Sequence, residues 1–108
     1  MFSCRKYLFL MFNINLMDIS TFSVPDQIKI TILIISGDGH PDPKNLDNDQ
    51  DMADIGLNDE NYIQLTVRLN AIIHAQNPAA DPIATADVEA AAKVQDVIDL
   101  VTQAIAGQ

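Results

Sequence analysis

One run of residues constrains the fold of this chain more than any other. Between Asn58 and Gln76, the side chains of Tyr62, Leu65, Leu69, Ile72 and Ile73 recur at helical spacing, flanked by Ile63 and Val67. That spacing sets them as a stripe along one side of an α-helix. Asn58 is a good N-cap, because its side-chain oxygen can accept from a first-turn amide, and Asp59 and Glu60 complement the positive end of the dipole. Asn77-Pro78 ends the run, since the residue before a proline is disfavoured in helical conformation. This is the strongest helix in the chain.

The chain has 108 residues, enough for one domain with a modest core and too few for two. Apolar residues make up 48%, which argues against global disorder. With two Tyr, four Phe and no Trp, the interior must be filled by Ile, Leu, Val and Ala. The formal charge of -9 carries a second constraint: phosphate neutralisation needs a clustered basic face, and six Lys and Arg in all argue against a nucleic-acid partner. Charged partners should present basic surfaces. A single cysteine, Cys4, excludes an internal disulfide, and with His40 and His74 well separated it gives no zinc spacing.

The first residues differ from the rest. Arg5 and Lys6 are the only charges before Leu16, and Tyr7-Leu8-Phe9-Leu10-Met11-Phe12 is an apolar burst far shorter than the roughly 20 residues of a spanning helix. A basic start before an apolar run also suits a signal peptide, but no small-x-small cleavage site follows. Residues 1–20 are therefore read as an N-terminal extension, either disordered or an upstream misassigned start, and residues 21–108 as the folded domain. Without residues 1–16, four basic and fifteen acidic side chains remain, a charge of -11.

Four segments follow. Val24-Pro25-Asp26 can open a helix on which Ile28, Ile32 and Ile35 share a face, yet Ile28-Lys29-Ile30-Thr31-Ile32 alternates like a strand and is rich in β-branched residues. Periodicity alone leaves helix and strand nearly balanced here. Gly37 to Ala53 carries Gly, Pro, Asn and Asp with little periodicity and reads as a long surface loop, of a length that is usually functional or mobile. Beyond Pro82, a short helical turn is expected around Asp87 to Ala91. A last helix from about Val94 to Ala106 should bury Val94, Val97, Ile98, Val101 and Ile105 before Gly107.

The segment Asp54-Ile55-Gly56-Leu57-Asn58-Asp59-Glu60 resembles the modification site of acyl carrier proteins, small helical modules that carry acyl chains on a phosphopantetheine arm attached to the serine of an Asp-Leu-Gly-x-Asp-Ser-Leu motif. In that register Asp54-Ile55-Gly56 stands for Asp-Leu-Gly, Asn58 for the second Asp, and Asp59 for the serine. The resemblance covers roughly Val24 to Gly107. It implies a helix rather than a strand at Val24 to Ile35, and a long loop before the motif. The spacing from Ile83 through Asp87-Val88-Glu89 to Val94 also suits the family. The stretch from Gln76 to Pro82 is longer than the family's link by about half a dozen residues, an insertion that costs little because closure entropy grows only logarithmically. The implied fold is all-α: an acyl-carrier-like bundle of three main helices plus one short helix.

The motif's chemistry is broken. The last serine is Ser36, and Thr66, Thr85 and Thr102 lie within or beyond the later helical segments, so no shift of register restores a hydroxyl at the turn. A carboxylate at Asp59 cannot make the phosphodiester that holds the arm. The simpler reading of Asp59 is an acid stabilising a helix start by roughly 0.3 to 1 kcal/mol. The functional reading is a fixed negative charge where a carrier's phosphate is attached. The acids that ordinary carriers place along this helix are also missing, with Gln64, Asn70 and Ala71 at those positions and Arg68 adding positive charge, so electrostatic steering by this helix should be weak.

Acidic density falls instead on the loop. Asp47, Asp49 and Asp51 match the opening of a calcium loop, with Asp54 beyond them, but Met52 stands at the sixth position where Gly is needed and Asn58 at the twelfth where Glu is needed. These four are a weak metal candidate, and a solvated acidic loop is the preferred reading. His40 and His74 have no reactive Ser or Cys at triad spacing. The expectation is a non-enzymatic, cytoplasmic, monomeric carrier-like module that binds no metal or cofactor and acts by protein interaction or apolar ligand binding, with acyl-transfer or synthase enzymes as candidate partners. The competing expectation is a specialised acyl carrier of lipid or natural-product biosynthesis, which would bear 4'-phosphopantetheine.

Overall fold

A computed structural model describes residues 19–107. The expectations for residues 1–16 fall outside that range. Among the described residues five α-helices occur in chain order: α1 (Val24–Ile35), α2 (Met52–Ile55), α3 (Asp59–Gln76), α4 (Thr85–Glu89) and α5 (Val94–Ile105), with a 3-10 turn at Pro43–Asn45 between the first two. Among the described residues no strand forms, and the all-α expectation holds. Among the described residues the count differs from three main helices and one short one, because α2 forms where the segment read as a loop, Gly37 to Ala53, meets Asp54 and Ile55.

Residues 28–32 are helical. Ser23 caps α1 by accepting from the Asp26 amide at 3.3 Å, and Pro25 fits the first turn, where its missing N–H has no helical partner in any case. The apparent strand alternation has a plain cause. Ile28 and Ile32 lie one turn apart in the main core cluster, while Ile30, about 200° around the helix from Ile28, is just as fully buried. A helix buried on more than one side shows apolar residues at period two without being a strand. Its buried polar groups are satisfied locally: Gln27 Nε2 donates to the Phe22 carbonyl at 2.9 Å and Thr31 Oγ1 to the Gln27 carbonyl at 2.7 Å.

The 18-residue α3 is the central element, packing against α1, α4 and α5, and α1 also meets α5 and the 3-10 turn. Leu65, Leu69, Ile72 and Ile73 of α3 join Val97, Ile98 and Val101 of α5 in the core, with Val88 of α4. Two of the apolar residues assigned to the interior differ in degree. Tyr62 and Ile105 are only partly buried and pack on the edge of the cluster.

Side chains of the second half of α3 organise the long connection that follows it. Asn70 Nδ2 donates to the Ile83 carbonyl at 3.1 Å and its Oδ1 accepts from the Ile83 amide at 2.8 Å, so one amide side chain replaces a strand partner for residue 83. His74 Nε2 lies 3.1 Å from the Ala80 carbonyl, a group of this connection and not of the helix terminus. Asn77, at the C-cap, donates to the Ile105 carbonyl at 2.9 Å and so ties the end of α3 to the end of α5.

The loop after α1 is anchored rather than loose. Leu46 and Met52 are buried in the core, and residues 48–52 run antiparallel to residues 92–95. The Met52 amide donates to the Ala92 carbonyl at 2.9 Å, the Val94 amide to Gln50 at 3.0 Å and the Gln95 amide to Asn48 at 2.9 Å. This tie fixes α2, and through it the turn that opens α3. Among the described residues no helix is long and apolar enough to cross a membrane.

Candidate functional site

The turn between α2 and α3 is built by three residues. Gly56 ends α2 with φ of 81° and ψ of 32°, a left-handed conformation that a side-chain-bearing residue adopts only with strain. Leu57, partly buried, packs on the core and sets the depth of the turn. Asn58 then closes a reciprocal cap: its Oδ1 accepts from the Asn61 amide at 2.7 Å, and Asn61 Oδ1 accepts from the Asn58 amide at 3.1 Å. The capping role of Asn58 was legible in the sequence, and Asn61 at the third helical position was the signal for its reciprocal partner.

Asp59 is the first residue of α3, and its side chain is exposed. Among the described residues its carboxylate makes no hydrogen bond or ion pair. Glu60 is exposed beside it. One and two turns further on, Ile63 and Val67 remain 54% and 64% exposed, so the two apolar residues that flank the stripe project outward from the helix instead of extending the core. The outer face of α3 therefore runs from a free carboxylate to an apolar ridge. Asn70, expected on the recognition side, is taken up by Ile83, and Ala71 is exposed.

Tyr62 faces the edge of the core. Burial pushes its phenol above the ordinary tyrosine range, and the Glu89 carboxylate adds to the shift in the same direction.

The acidic loop does not converge on a point. Asp47, Asp49, Asp51 and Asp54 are all exposed, and among the described residues no group of three or more His, Cys, Asp or Glu side chains is placed to hold a metal ion. Asp51, at the N-cap of α2, makes no capping bond; its Oδ1 instead lies 3.0 Å from Lys93 Nζ. Lys93 also donates to the Asp49 carbonyl at 3.3 Å. The hydrogen bond to Asp51 and that carboxylate's charge hold the Lys93 ammonium above the ordinary lysine range. Sequence reasoning missed Lys93 because its partners lie more than forty positions upstream. The only local hint was a lone lysine at the N-terminal boundary of an otherwise acidic helix.

His40 and His74 stand in separate settings, His40 exposed with its amide donating to Asp38 Oδ1 at 2.8 Å and His74 against the Ala80 carbonyl. What the start of α3 offers is an exposed, anionic first turn followed by two exposed apolar side chains on the same helix. Comparison with protein families, with curated proteins and with solved structures finds no match to this chain.

Proposed function

We propose that this chain is a carrier-like module that has lost the attachment point for a prosthetic arm and works by docking on another protein. The observation that carries the reading is the place of Asp59: an exposed, unengaged carboxylate at the first residue of α3, directly after a capped Gly56-Leu57-Asn58 turn, where the acyl-carrier resemblance puts the modified serine. The order of three longer helices with a short one before the last is compatible with an acyl-carrier-like bundle. Ile63 and Val67, exposed on the same helix, favour protein contact over a swinging-arm role, because apolar side chains held on a rigid convex face gain most when a partner covers them.

On this reading the protein is non-enzymatic and cytoplasmic, requires no cofactor, and meets partners that present basic groups beside an apolar socket, acyl-transfer or synthase enzymes among them. The competing reading, a specialised acyl carrier, requires a covalent arm. Incubation with coenzyme A and a permissive phosphopantetheinyl transferase, followed by intact mass measurement, separates the two. The native chain should gain nothing, while Asp59→Ser should gain one phosphopantetheine. Loading of the native chain at any residue overturns the proposal.

A further inference from the structure

A second feature lies outside α2 and α3. A cleft of about 880 Å³ opens between the start of α1 and the loop that follows it. Two of the chain's six Lys and Arg, Lys29 and Lys44, line this cleft together with His40. Among the described residues no ion pair engages Lys29 or Lys44. Phe22, 37% exposed, provides an aromatic wall, extended by Pro41 and Pro43.

Two carboxylates share the lining, and they decide what could bind. Asp42 Oδ1 accepts from the Lys44 amide at 3.0 Å, which turns one carboxylate oxygen toward the backbone of the Pro43–Asn45 turn. Asp26 sits in the first turn of α1, where it complements the helix dipole. With two ammonium groups against two carboxylates, the cleft is close to neutral within a strongly acidic molecule. A bare anion gains little there, whereas an anion joined to a flat apolar group combines charge-assisted hydrogen bonds with contact against the ring.

The geometry points to a binding site for a small aromatic anion, its charged group held by Lys29 and Lys44 with His40 beside them and its ring laid against Phe22. The site is independent of the carrier-like reading, since none of its residues belongs to the α3 face.

The test uses the full chain and two probes, phenyl phosphate and inorganic phosphate, titrated at matched ionic strength while backbone amide resonances are followed. Phenyl phosphate should give saturable shifts at the amides of Phe22, Lys29, Gly39, His40, Asp42, Lys44 and Asn45, and inorganic phosphate should not. Lys29→Met with Lys44→Met should weaken phenyl phosphate about tenfold or more, as expected for lost charge-assisted contacts. Phe22→Ala should remove the preference for the aromatic probe. Circular dichroism checks that each variant keeps its helices, and single Lys44→Met, at an exposed position, serves if the double variant does not fold. An equal response to both probes, shifts that do not saturate or map elsewhere, or affinity unchanged by loss of the lysines each overturns the site.

Discussion

Asp51 and Lys93 face one another across an isolated antiparallel bridge, and their side chains repeat the contact, with Lys93 Nζ 3.0 Å from Asp51 Oδ1. The ion pair is roughly half exposed on both sides, so salt screens it and the backbone bonds carry most of the tie. Lys93→Met should therefore accelerate hydrogen exchange at the Met52 and Val94 amides at low salt, with the difference shrinking at high salt. Because the folded-state lysine is held above its ordinary value, its contribution is complete below the unfolded pKa and is lost as pH rises through the folded one. Exchange in the variant equal to native at low ionic strength would show that the side-chain contact does nothing for the loop.

Gly56 sets the turn that presents Asp59. A Cβ there would meet nothing within 4 Å, so Gly56→Ala is a test of backbone strain alone, uncomplicated by a clash. The left-handed conformation should make the variant less stable by about 1 to 2 kcal/mol. Chemical denaturation measures this, and an unchanged midpoint would mean that the turn relaxes into another conformation.

Leu69 is fully buried in the cluster that joins α1, α3 and α5. Leu69→Ala leaves a cavity at that junction and should lower stability by roughly 2 to 5 kcal/mol. Val67→Ala, two positions earlier and 64% exposed, should change it by less than about 0.5 kcal/mol. Comparable losses at both positions would contradict the packing described for α3.

The Tyr62 phenol should titrate above the ordinary value of about 10, since burial and Glu89 both disfavour the phenolate. Absorbance titration in a Tyr7→Phe background isolates it. Glu89→Gln should lower the transition but leave it raised, because burial is the larger cause. Stability due to this group persists up to about pH 10 and falls as pH climbs toward the folded value, since the unfolded phenol ionises first.

Calcium should stabilise the domain little more than sodium at matched ionic strength, because Asp47, Asp49, Asp51 and Asp54 do not converge and Asp51 is engaged by Lys93. Calorimetric titration checks this. Saturable micromolar binding abolished by Asp49→Asn would reverse the account of the loop.

Several features were decided by the sequence alone because their physics is local. The apolar period of α3, its Asn58 cap, its stop before Pro78 and the stripe of α5 each depend on residues within a few positions of one another. The want of a serine beyond Ser36 is likewise a fact of the chain, independent of any fold. Other features rest on partners far along the chain, which no window of neighbouring residues contains. Residues 28–32 could not be assigned from their pattern, since Ile30 is buried on a side of α1 that period counting treats as solvent. The short α2 was hidden in a polar, proline-containing stretch; burial of Leu46 and Met52 and the bonds to residues 92–95 hold it in place. Ile63 and Val67 are as apolar as their buried neighbours, and only the packing of α1, α4 and α5 around the opposite side of α3 left those two in water.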